Sequence, residues 1–69
     1  MRNDLFLKQM GGKIKMHRKA RGFPLTKLSE LSGVDLSNLW FIEDGRRNLH
    51  LLTLKSIADV LGVDVKELL

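Results

Sequence analysis

Few side chains in this 69-residue chain could carry covalent chemistry. It has no cysteine, which removes thiolate nucleophiles, disulfides and cysteine-based metal sites, and suits a reducing cytoplasm. Its two histidines, His17 and His50, lack the cysteine or carboxylate spacing of a metal site. Neither forms a nucleophile–base arrangement with another residue. His17 falls at helical spacing from Met10 and Ile14, which suits a partly buried core histidine. Gly11-Gly12 is not a phosphate loop, because no strand precedes it and no Lys-Ser/Thr follows. No catalytic residue, metal or cofactor is therefore expected, and the chain is not read as an enzyme.

What remains is non-covalent chemistry, and charge dominates it. The formal net charge is +4. Between Asp4 and Glu30 there is no acidic residue, while Lys8, Lys13, Lys15, Arg18, Lys19, Arg21 and Lys27 fall in that interval. A second basic pair, Arg46 and Arg47, comes later. Such a field favours polyanions. The same net charge also fits ordinary solubility, and each lysine alone fits a solvated surface.

The elements that must position these charges are helical. The chain is organised around Leu25 to Gly45, LTKLSELSGVDLSNLWFIEDG. Leu28 and Leu31 put apolar side chains on one helix face, Leu39 and Ile42 do so on a second, and Val34 lies between. Gly33 suits a left-handed helix end, and Asp35 suits the N-cap of the next helix. Ser29 is small enough for the two helices to approach closely. Helix, Gly-containing turn and second helix make a helix-turn-helix unit.

Before this unit, residues 5 to 20 read as a helix, weakened at Gly11-Gly12 and ended by Gly22. Pro24 suits the first turn of the helix that follows. After it, Leu51 to Leu61 carries an apolar stripe of Leu51, Leu54, Ile57, Ala58 and Leu61. Asp64 caps a last short helix over 65–69. No strand signal, repeat or long apolar run is present, so neither a signal peptide nor a membrane span is expected. The expected architecture is all-α, with five short helices in a single domain over 1–69. A domain this small hides only ~60% of its unfolded surface and gains from oligomerising.

Residues 12 to 69 resemble the phage repressor and Cro type of helix-turn-helix domain. The resemblance rests on Leu28-Ser29, Gly33-Val34, Leu39, Ile42-Glu43 and Gly45, and on the ending Ile57-Ala58, Leu61-Gly62-Val63 and Leu68. The Arg46-Arg47-Asn48-Leu49 loop is similar to that of restriction–modification controller proteins. The resemblance implies a lambda-repressor-like fold and a transcriptional regulator that binds double-stranded operator DNA as a homodimer. Half-sites would lie about one helical turn apart, ~34 Å. It also implies an ion pair between Arg18 and Glu43.

The resemblance places base reading at Leu36, Ser37 and Phe41, with Asn38 and Trp40 flanking. Ser37 and Asn38 can hydrogen-bond to base edges, whereas Leu36 and Phe41 can only touch thymine methyl groups. Phosphate contacts are expected from Lys27, Arg46, Arg47 and Asn48, with Lys13 or Lys19 as additions. Leu49, Leu52, Val65 and Leu69 are expected to form the dimer interface; the alternative for Leu49 and Leu52 is completion of the core. No small-molecule ligand or membrane partner is expected. Leu36, Trp40 and Phe41 are more apolar than a reading helix requires, so the alternative function is a protein–protein interaction module on the same scaffold.

Overall fold

Four α-helices and one short 3₁₀ turn make up the described chain: α1 Arg2–Ala20, α2 Leu25–Ser32, α3 Leu36–Glu43, α4 Leu51–Leu61 and the 3₁₀ turn Val65–Glu67. The computed structural model describes residues 2–69; Met1, where the expected domain begins, lies outside them. The described residues are all-α, without a strand. The helix count is four rather than five. Glu67 Oε2 accepts from the Asp64 amide at 3.3 Å, and Val65–Glu67 takes 3₁₀ geometry where a fifth helix is expected.

α1 starts earlier than its apolar spacing predicts. Asp4 sits in its first turn, and His17, Arg18 and Lys19 sit in its last, which complements the helix dipole at both ends. It also runs without a break through Gly11-Gly12. Gly11 has a packing reason to be glycine. A Cβ there would run into the carbonyl oxygen of Ile42 and stand 2.8 Å from that of Glu43. The backbone of α1 thus lies directly against the end of α3. Gly12 faces open space.

The core is built from one stripe per helix: Met10 and Ile14 on α1, Leu28 on α2, Leu39 and Ile42 on α3, and Leu54, Ile57, Ala58 and Leu61 on α4, closed by Leu68. Two expected core residues lie outside it. Leu31 is 49% exposed, because the inward face of α2 runs through Leu25, Leu28, Ser29 and Ser32. At about 100° per residue, Leu31 falls a quarter-turn off that face. Leu51 is also exposed, since it occupies the first turn of α4, one turn before the buried stripe begins at Leu54. Pro24 stands just before α2 as its N-cap, and its carbonyl accepts from the amides of Lys27 and Leu28.

The turn between α2 and α3 is closed by local bonds. Gly33 takes the left-handed conformation, φ 75°, and its amide donates to Ser29 O at 2.9 Å. Ser29 Oγ donates to Val34 O at 2.6 Å, and Ser32 Oγ donates to Leu28 O while accepting from the Val34 amide. Ser29 therefore ties the turn together.

A buried ion pair fixes the far end of α3. Arg18 Nε donates to Glu43 Oε2 at 2.6 Å and Nη2 to Oε1 at 2.9 Å, while Nη1 donates to Phe23 O at 2.7 Å. The hydrogen-bonded carboxylate raises the Arg18 pKa above its ordinary value, against the lowering effect of burial. Removing one partner strands the other charge in a dry site. Arg18→Met is expected to cost about 3–5 kcal/mol, and Arg18→Met with Glu43→Leu to cost much less, by chemical denaturation. Gly11→Ala should cost about 1–3 kcal/mol through overpacking. Gly12→Ala should stabilise by roughly 0.5–1 kcal/mol, as an exposed helical glycine does. Equal effects at the two glycines would contradict the packing of α1 on α3.

Candidate nucleic-acid interface

α3 is held from inside by Leu39 and Ile42, which are fully buried, and turns its other side outward. Leu36 is 41% exposed and Trp40 53%, Ser37 is exposed, and Asn38 and Phe41 are half-buried. The four positions expected to read bases therefore share one accessible side of a fixed helix. Trp40 and Phe41 do not both pack inward. Their rings meet edge to face, 5.2 Å between centroids and 86° between planes. Together with Pro24, Leu25, Thr26, Leu36 and Ser37 they line an apolar groove of about 500 Å³ between the start of α2 and α3.

The polar end of this face is organised by Asp35. Its Oδ2 accepts from Ser37 Oγ at 2.6 Å and from the Asn38 amide at 3.3 Å. The Ser37 hydroxyl, the Asn38 amide and the nearby charge of Arg47 hold the Asp35 carboxyl below its ordinary pKa. Its contribution to the start of α3 is therefore present above the ordinary carboxylate pKa and fades as pH falls through the depressed value.

The basic loop after α3 divides in two. Arg46 Nε pairs with Asp44 Oδ2 at 2.6 Å, in a solvent-exposed contact. Arg47 turns back along α3, where Nη1 donates to Asn38 Oδ1 at 3.0 Å and the guanidinium lies 4.8 Å from the centre of the Phe41 ring. Sequence reasoning missed this contact. Nothing in helical periodicity links a loop residue to a side chain nine positions earlier. Asn48 is exposed, and its Oδ1 accepts from the Leu49 amide. Lys27 is exposed and 4.0 Å from Glu30. Lys13 donates to Leu69 O, and Lys19 is exposed.

The four residues expected at a dimer interface do not form one uniform surface. Leu52 is 79% exposed and Leu69 is exposed, whereas Leu49 and Val65 are half-buried and packed against the core. His17 is half-buried, and exposed His50 precedes α4 without a side-chain cap bond. Among the described residues no cluster of three His, Cys, Asp or Glu could hold a metal ion. No described helix is long and apolar enough to cross a membrane.

Comparison with known proteins gives a consistent picture. The family described as helix-turn-helix domain matches residues 9–69. The restriction-modification controller protein C.AhdI from Aeromonas hydrophila is 32% identical, with a TM-score of 0.88 over 91% of this chain and 96% of that one. The biofilm master regulator SinR, solved in complex with DNA, is 37% identical with a TM-score of 0.83, over 86% of this chain and 95% of that one. The DNA-binding domain of BldD is 31% identical with a TM-score of 0.85, over 96% of each chain. No curated protein sequence matches significantly. The chain belongs to the helix-turn-helix domain family, of the phage repressor and Cro type.

Proposed function

We propose that this protein is a sequence-specific DNA-binding transcriptional regulator that acts as a homodimer and lays α3 in the major groove. The carrying observation is the outward side of α3: Ser37 and Asn38 are presented on a helix fixed at both ends, next to a basic loop. Support also comes from likeness to SinR, solved with DNA, and to C.AhdI, a controller protein. Ser37 and Asn38 meet base edges, and Leu36 and Phe41 meet thymine methyl groups. Lys27, Arg46 and Asn48 contact phosphates and set register without reading sequence. The exposed Asp44 partner of Arg46 is a weak competitor for a phosphate. Two copies pair through exposed Leu52 and Leu69, with half-buried Leu49 and Val65 contributing what they leave exposed.

A second reading has its own observation, the apolar groove between α2 and α3. In that reading the same face binds a protein. Phe41→Gln separates the two, since it should weaken DNA binding if Phe41 meets the groove of DNA and leave it intact if Phe41 meets a protein.

The test is binding-site selection from random duplexes, followed by titration of the selected duplex and an unrelated one at several salt concentrations. Arg46→Ala and Lys27→Ala should weaken both duplexes by a similar factor, each lowering the salt slope by about one. Ser37→Ala should weaken only the selected duplex, by about 0.5–1.5 kcal/mol. A wild-type protein that selects no sequence and shifts no duplex at low salt would overturn the DNA reading.

A further inference from the structure

Arg46 and Arg47 are neighbours in sequence but not in task. The sequence groups both with phosphate contacts. Arg46 stays at the end of α3 with Asp44. Arg47 reaches back over α3 and touches Asn38 and Phe41, which lie one turn apart on its outward side. Its charged head thus sits on the reading face itself. We propose that Arg47 is a specificity-determining residue that reads a guanine in the major groove, a proposal that rests on α3 being the major-groove helix.

The hydrogen-bond directions favour guanine. Arginine carries only donors, so the Asn38 atom facing it is the carboxamide oxygen, and the Asn38 amino group is left to donate outward. One of the five guanidinium N–H groups is used on Asn38. Arg47 is exposed, so the rest are open to a ligand. Asn38 and Arg47 together therefore present donors side by side. Guanine offers two adjacent acceptors, N7 and O6, on its major-groove edge. Adenine offers one acceptor beside a donor, which opposes a second donor from the protein. Ser37 complements this arrangement: its proton goes to Asp35, so its oxygen is free to accept from an adenine or cytosine amino group.

Phe41 gives Arg47 a fixed seat. A guanidinium stacked on a ring keeps its plane and loses less freedom on forming paired bonds than a free side chain does. This also gives the half-buried aromatic a role besides thymine contact.

The experiment compares wild type, Arg47→Ala and Arg46→Ala by binding-site selection, then measures affinity for the wild-type site with each guanine changed to adenine or to 7-deazaguanine. Circular dichroism checks that each variant is folded, which exposed Arg46 and Arg47 should permit. For wild type, one guanine is expected to tolerate neither change, with a loss of about tenfold or more. At that guanine Arg47→Ala should lose most of the discrimination, whereas Arg46→Ala should keep the full guanine preference at lower affinity. If Arg47→Ala retains every guanine preference and weakens all duplexes equally, Arg47 is a phosphate contact and the proposal is overturned, while the DNA function stands. If wild type selects no sequence, the DNA reading falls and this proposal falls with it.

Discussion

The buried pair of Arg18 and Glu43 is the constraint on which the rest depends. Among the described residues Arg18 is the one charged residue in the buried set, and it joins three pieces of chain. Its guanidinium reaches the end of α3 through Glu43 and the corner before α2 through Phe23 O. Gly11 supports the same contact by letting the backbone of α1 lie on the carbonyls of Ile42 and Glu43. Buried charge is a poor source of net stability, because desolvation offsets most of the attraction. What it supplies here is position. α3 is only eight residues long, too short to hold its own shape in water, and its orientation is set by the groups at its ends.

At its other end α3 is set by Asp35 and the left-handed turn at Gly33. Between these anchors Leu39 and Ile42 face the core, and the remaining residues face out whatever their polarity. The apolar surface of Leu36 and Trp40 is thus a consequence of placement that packing does not require. A contiguous apolar face on a small protein marks a contact surface. In the proposed mode thymine methyl groups cover part of it, Arg47 covers one side of Phe41, and the polar first turn supplies hydrogen bonds. Affinity then comes largely from charge and sequence preference from a few side chains, which is the usual division at a protein–DNA interface.

The inward side of the fold was legible because it obeys a period. Leu28, Leu39, Ile42, Leu54, Ile57 and Leu61 could be placed from spacing alone, and Gly33 and Asp35 from their local chemistry. Errors came where the period meets an element's edge or a short helix. Leu31 and Leu51 match an apolar spacing, yet one lies beside the buried face and the other precedes it. Gly11 reads as a weakness because propensity carries no information about a neighbouring backbone, whereas Gly12, facing open space, is the weakness that propensity predicts. The outward side was legible in residue type but not in arrangement. The bond from Arg47 to Asn38 joins a loop to a helix, and only the folded path of residues 44–47 brings them together. The expected dimer residues mix exposed and half-buried positions for the same reason: spacing tells that a residue is apolar, not which surface claims it.

The central claim is that the outward side of α3, with the loop that follows it, is where DNA sits. The most direct measurement is a titration of isotope-labelled protein with a selected duplex, followed by nuclear magnetic resonance at every backbone amide and at the arginine and asparagine side chains. The expected result is that the largest changes fall on Ser37, Asn38, Phe41 and Arg46 to Asn48, with the buried stripe of α4 little affected. Changes confined to other surfaces, with α3 unperturbed at saturation, would contradict it.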